Sequence, residues 1–260
     1  LHAVADAAAA GIVTPVIYGD RDTVLGVCEK EGIDASGFEI VDIKGDTACV
    51  ARAVADVAAG NADILMKGLV STDKYMRGIL NKEAGLFPQG GLLSHVSVVE
   101  LPGRDRLLCV ADVAVIPQPD FKQKLKIIGY LASTARSLGI RTPKIACIAP
   151  SEQVLGGVPS STEAAIIAKM ADRGQLGDVL YPEVVAEKGV KGSCVAGEPD
   201  CLLFPNIESG NVFFKAATHM AGAEIAAMVT GTRVPCVLTS RGDTPKTKLY
   251  SIALACLSIN

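Results

Sequence analysis

What most constrains this chain is the alternation of strand-like and helix-like segments from one end to the other. Short apolar, β-branched runs at 15–18, 39–43, 63–66, 96–100, 107–111, 144–148, 200–204, 225–229 and 234–238 read as strands. Between many of them lie segments of helical periodicity, at 23–31, 47–59, 73–82, 125–138, 162–172, 211–220 and 246–257. A strand that is followed by a helix and then by another strand is a βαβ unit. Repeated, such units build an α/β fold on a largely parallel sheet. One pair departs from this order. Runs 96–100 and 107–111 are joined by a polar link, Leu101-Pro102-Gly103-Arg104-Asp105, which is too short for a crossover and predicts an antiparallel hairpin.

At 260 residues the chain suffices for one large or two modest domains with real cores. Hydrophobic residues make up 49%, much of it Ala and Val with no Trp, which suits small side chains between closely packed layers. No low-complexity linker divides the chain, and no repeat of solenoid period is present. The Gly/Pro-bearing stretch 85–91 is the best early hinge, and the second crossing is expected at 231–234. Residues 1–90 with 232–260 then form one domain, and 91–231 the other.

A formal net charge of −3 argues against nucleic acid or an anionic membrane as partner. No apolar run reaches spanning length and no signal peptide is visible, so no membrane association is expected. The eight cysteines form no C-x-x-C pair and several sit in apolar runs, as expected of reduced, buried thiols in a cytoplasmic protein. His2, His95 and His219 show no metal-ligand spacing, so no metal site is expected. His95, alone before a strand, reads as a structural residue. The chain starts at Leu1 rather than Met, which suggests a start inside a longer natural chain.

Three strand ends carry polar groups suited to chemistry, and in open α/β sheets ligands bind beyond the carboxyl ends of strands. At the first, Met66-Lys67-Gly68-Leu69-Val70-Ser71-Thr72-Asp73 ends a buried strand and opens a helix near 71–73. Free N–H groups there, with Lys67 and the Ser71 and Thr72 hydroxyls, favour an anion, and Arg77 lies about one turn further on. At the second, Phe204-Pro205-Asn206-Ile207-Glu208-Ser209-Gly210-Asn211 places Asn206, Glu208 and Asn211 before and into a helix expected to begin near Ser209. Lys215, one turn beyond Asn211, can neutralise a phosphate. The third is Val237-Leu238-Thr239-Ser240-Arg241-Gly242-Asp243, after which Thr244-Pro245 caps and starts a helix. Ser240 offers a donor, Arg241 an anion clamp and Asp243 a base. Neither Gly90-Gly91 nor Gly156-Gly157 matches a dinucleotide fingerprint.

Met66-Lys67-Gly68-Leu69 with Arg77, Leu80-Asn81-Lys82-Glu83-Ala84-Gly85-Leu86, Leu93-Ser94-His95-Val96, Lys169-Met170-Ala171-Asp172-Arg173-Gly174, Glu208-Ser209-Gly210-Asn211 and Val237-Leu238-Thr239-Ser240-Arg241 occur in an order that resembles the phosphate acetyl/butyryltransferase family, and its butyryl branch more closely. The resemblance implies an enzyme that interconverts acyl-CoA plus phosphate with acyl phosphate plus CoA, with CoA as substrate and no metal or redox cofactor. It implies two α/β/α domains like those of isocitrate and isopropylmalate dehydrogenases, with the active site in a cleft and assembly as a homodimer or higher homo-oligomer. The family's cleft Ser–Arg pair matches Ser240 and Arg241, and a further cleft arginine matches Arg77. The acetyl enzymes place a proposed catalytic Asp about two helical turns beyond the Arg, where this chain has Thr247. Asp243 is the nearest carboxylate.

On that reading CoA thiol, acyl phosphate and enzyme form a ternary complex, and transfer is direct. Asp243 takes the thiol proton, Ser240 donates to the carbonyl oxygen, and Arg241 and Arg77 hold the phosphoryl oxygens. Two alternatives are open: a non-catalytic paralogue that binds CoA or acyl phosphate, and a decarboxylating dehydrogenase of the same fold using nicotinamide and a divalent metal. The latter needs an aspartate set at helical spacing, which the chain lacks.

Overall fold

The computed structural model describes residues 1–83, 86–176, 183–184, 195, 197–240 and 242–259. In chain order the first elements are α1 (His2–Ala9), β1 (Val16–Gly19), α2 (Arg21–Glu31), β2 (Glu39–Asp42), α3 (Asp46–Ala58), β3 (Leu65–Met66) and α4 (Thr72–Leu80). There follow β4 (Ser94–Glu100), β5 (Leu108–Ala111), α5 (Phe121–Ser137), β6 (Ile145–Cys147), α6 (Pro159–Asp172), β7 (Glu183–Val184) and β8 (Cys201–Leu203). The last are α7 (Ile207–His219), β9 (Glu224–Thr230), β10 (Cys236–Val237) and α8 (Pro245–Leu257). The fold is mixed α/β, as the alternation of periods predicts.

The chain divides into two compact units, Leu1–Gly91 with Ala226–Asn260, and Leu92–Ile225. The Gly- and Pro-bearing stretch 231–235 is a turn inside the first unit: β9 and β10 run antiparallel on either side of it, with Cys236 opposite Val229.

In the first unit β1 and β2 pair in parallel, and β3 lies parallel to β10 with Leu65 beside Cys236 and Met66 beside Val237. Helix α3 buries Val50, Val54 and Val57, the i, i+4, i+7 stripe of an amphipathic helix. Helix α4 buries Tyr75 and Ile79 and packs on α3 through Gly78. A Cβ at Gly78 would stand 2.3 Å from Val50 Cγ1, so the crossing depends on the missing side chain. Helix α1, which no apolar stripe announces in the sequence, contributes Ala3 and Ala7 to a cluster with Ile252 of α8.

In the second unit the strand order is β4-β5-β8-β6-β7. Strands β4 and β5 form the expected antiparallel hairpin, with Ser97 opposite Val110 and Val99 opposite Leu108, and the other neighbours are parallel. Helix α5 starts at a capping box, Asp120 bonding the Gln123 N–H and Gln123 returning to the Asp120 N–H. It lays Ile127, Ile128, Leu131, Ala132 and Ala135 on the sheet.

Candidate active site

In the first unit the candidate residues of the Lys67 loop and the Ser240 turn follow strands β3 and β10, which end side by side. The parallel ladder runs one bond further, Lys67 N–H to the Val237 carbonyl at 3.0 Å, so the loops after the two strands start as neighbours. Beneath them lies Tyr75. Its hydroxyl donates to the Leu65 carbonyl at 2.8 Å, with the Val237 carbonyl a second acceptor at 3.3 Å. Full burial pushes the Tyr75 phenol well above its usual range, so it stays protonated and keeps that bond.

Lys67 is buried at the end of β3, and its Nζ donates to the Gly68 carbonyl at 3.2 Å. Ser71 is the N-cap of α4, its Oγ accepting from Lys74 N–H at 3.3 Å, and Thr72 is the first helical residue. The predicted helix start therefore stands where the sequence placed it. Arg77 is four-fifths exposed and pairs with Asp73 one turn back, Nε to Oδ1 3.0 Å. An exposed pair of this kind contributes little by itself, so the guanidinium is easily recruited by a better anion.

Beyond β10, Thr239 is buried and Ser240 is exposed. The turn that follows is closed from both sides: Ser240 N–H donates to Asp243 Oδ2 at 2.6 Å, and Asp243 N–H donates to the Ser240 carbonyl at 3.2 Å. Ser240 Oγ accepts from Gly242 N–H at 3.3 Å. Arg241, assigned the anion clamp, lies outside the described residues. Thr244 caps α8 and Pro245 is its first residue, as expected. Thr247, at the position where the resemblance puts a carboxylate, returns its N–H to Thr244 Oγ1 at 3.1 Å, and the two hydroxyls lie 3.0 Å apart.

In the second unit, β5 and β8 end beside each other, with Phe204 N–H donating to the Ala111 carbonyl at 2.8 Å. Asp112 follows β5 and is buried with a full set of partners. Its Oδ2 accepts from Ser94 Oγ at 2.9 Å and His95 N–H at 3.1 Å, and its Oδ1 from the N–H groups of Ala114 and Val115, both at 2.8 Å. Four donors on one carboxylate turn the loop after β5 into a rigid plate.

Helix α7 sits on that plate. It begins at Ile207 rather than near Ser209, because Asn206 is the cap: its Oδ1 accepts from Ser209 N–H at 2.9 Å, and Ser209 Oγ turns back to Asn206. Gly210 lies against the Asp112 carbonyl, and Asn211 Nδ2 donates to the Val113 carbonyl at 3.1 Å. Asn206 and Asn211, assigned to substrate, are thus both engaged by the backbone that forms the loop. Glu208 and Lys215 are exposed and seven residues apart, on one stripe of the helix. His95 is buried, with Nδ1 3.3 Å from Ser97 Oγ, which fits its reading as a structural residue.

Asp112 and Tyr75 were not singled out from sequence. Asp112 had a signal: one carboxylate set in the apolar run Leu107–Ile116 is either paired or absent from the core. Tyr75 had none beyond its place on the buried face of α4. Among the cysteines, burial pushes the thiols of Cys147 and Cys236 up to about 12 and about 11. Neither holds a useful thiolate fraction near neutral pH.

A family profile described as phosphate acetyl/butaryl transferase matches residues 46–256. A phosphate butyryltransferase of Clostridium beijerinckii is 40% identical over 99% of this chain and 88% of its own length. A phosphate acetyltransferase of Rhizobium meliloti is 34% identical over 97% of this chain and 83% of its own. A crystal structure of a branched-chain phosphotransacylase from Enterococcus faecalis V583 superposes with a TM-score of 0.79 at 26% identity, over 95% of this chain and 99% of the other.

Proposed function

The chain belongs to the phosphate acetyl/butaryl transferase family, and from that membership we propose how its own residues perform the reaction. It is a phosphate acyltransferase that interconverts acyl-CoA plus phosphate with acyl phosphate plus CoA. The observation that carries the assignment of residues is the pairing of β3 with β10, which brings the Lys67 loop and the Ser240 turn to one edge.

At that edge Ser240 Oγ donates to the acyl carbonyl oxygen as negative charge develops on it. Lys67, the α4 N-terminus with Ser71 and Thr72, and the guanidinium groups of Arg77 and Arg241 receive phosphoryl oxygens. Asn206 and Asn211 shape the loop that opens α7, and Glu208 and Lys215 on its exposed stripe meet polar groups of CoA, Lys215 its phosphates. Burial raises the thiols of Cys147 and Cys236, which argues against either as an acylated nucleophile, and the reading keeps direct transfer in a ternary complex. The same reading includes a short acyl chain with butyryl preferred, two α/β/α domains of the isocitrate/isopropylmalate dehydrogenase kind, a homodimer or higher homo-oligomer, a cytoplasmic setting and no cofactor.

The test is phosphate-dependent release of CoA from a series of acyl-CoA esters, assayed without NAD or added metal. Turnover that peaks at four carbons supports the reading. Recovery of an acylated protein after incubation with acyl phosphate alone overturns direct transfer.

A further inference from the structure

In sequence Asp243 is the carboxylate nearest to Ser240, and the turn holds the two residues together. We propose that Asp243 is a positioning residue for Ser240, and that no carboxylate of this turn acts as the base. The proposal rests on the acyl-transfer reading above.

The carboxylate already has a donor. Asp243 Oδ2 takes the Ser240 N–H at 2.6 Å, a charge-assisted bond, while the Asp243 N–H holds the Ser240 carbonyl at 3.2 Å. These two bonds fix the backbone of Ser240 from both its N–H and its C=O. The side chain is fixed as well: Gly242 N–H enters a lone pair of Ser240 Oγ at 3.3 Å. A hydroxyl has one proton and two lone pairs, and with one lone pair held by the Gly242 N–H the proton is left available to donate. Ser240 is exposed, so its O–H is accessible to a bound acyl group. That is the state in which it serves a carbonyl oxygen gaining charge.

One turn along α8, Thr247 supplies no carboxylate, and its hydroxyl is held 3.0 Å from that of Thr244. The proton balance does not require either residue. When the thiol sulfur bonds to the acyl carbon, the carbon–oxygen bond to phosphate breaks and its electron pair leaves on the phosphate oxygen. Inorganic phosphate released as a trianion is far more basic than a carboxylate, and it ends as the monohydrogen form by taking the proton the thiol loses. The thiol's ordinary pKa of about 8.5 already leaves a small thiolate fraction at neutral pH. What the site must supply is the aim of its donor.

The experiment compares Asp243→Asn and Asp243→Ala in steady-state acyl transfer between acyl phosphate and CoA, with pH–rate profiles and melting curves. Asparagine keeps an oxygen that accepts the Ser240 N–H, so kcat is expected within about tenfold of wild type, with the acidic limb in place. Alanine releases the turn, and a fall in kcat of about a hundred-fold is expected with KM values little changed. If Asp243→Asn is as poor as Asp243→Ala and loses the acidic limb, Asp243 is the base and the proposal is overturned. Wild-type protein without turnover removes the reaction itself, and the proposal with it. Should Asp243→Ala fail to fold, Asp243→Asn alone decides between the two roles.

Discussion

Gly210 and Asp112 touch backbone to backbone: a Cβ on Gly210 would stand 2.3 Å from the Asp112 carbonyl oxygen. The obstacle is a main-chain atom, held in turn by the four donors on the Asp112 carboxylate, so the contact has no soft side from which to yield. Gly210→Ala is therefore expected to destabilise by about 1–3 kcal/mol through overpacking. Urea denaturation reads it. A change under half a kcal/mol would mean that the loop after β5 shifts freely.

Tyr75→Phe removes one oxygen from the buried seam of β3 and β10. The Leu65 carbonyl loses its 2.8 Å hydroxyl donor but stays in the β3–β10 ladder, so the cost is that of one net hydrogen bond, about 0.5–1.5 kcal/mol. Amide exchange at Lys67, whose N–H bonds the Val237 carbonyl, should quicken along with the fall in stability. Unchanged exchange at Lys67 would separate Tyr75 from the strand ends.

For Arg77 the expectation splits stability from binding. Its only described pairing is the exposed one with Asp73, so Arg77→Ala should leave the melting temperature within a degree or two. If the guanidinium receives phosphoryl oxygens, the same variant raises KM for phosphate at least tenfold, and Arg77→Lys recovers part of it. Unaltered phosphate kinetics would take Arg77 out of the site.

Alkaline pH should destabilise the fold through buried thiols. Burial raises the folded thiol of Cys147 from 9.0 to about 12 and that of Cys236 to about 11. Below pH about 9 both folded and unfolded chains keep these protons, and the contribution is complete. Above it the unfolded chain releases them first, so stability declines as pH rises towards the folded values, by about 1.4 kcal/mol per pH unit for each proton. Cys147→Ala should lose less stability between pH 9 and 10 than wild type does. Parallel curves for the two proteins would show that Cys147 does not contribute.

The elements were legible because their physics is local. Apolar runs of four or five residues gave the strands, the 3.6-residue stripe gave α3, α5 and α8, and Thr244-Pro245 announced a helix start. The short Pro-Gly link gave the β4–β5 hairpin. What the sequence concealed was which group each polar side chain would meet. Asn206 and Asn211 look like ligand contacts in a string of letters, yet one caps α7 and the other bonds the Val113 carbonyl from far along the chain. Asp243 looks like a free base three residues from a serine, and that same spacing is what lets it close on the Ser240 N–H. Asx side chains compete for nearby backbone donors, and the winner depends on dihedral angles that a residue name does not carry. Helix α1 was missed because eight residues rich in alanine show no stripe until α8 is there to receive them.

The seam between β3 and β10 also sets a clock on biosynthesis. Tyr75 and Val237 meet across 162 residues of chain, so the early half of the seam leaves the ribosome long before its partner exists. The unit spanning Leu92–Ile225 is continuous and complete by the time its last residue emerges, whereas Lys67 waits until β10 has followed it. A polypeptide arrested before Cys236 has its second unit in full and still lacks the strand that leads to Ser240. The reactive edge of the first unit is thus completed only after the whole of the second unit has been made.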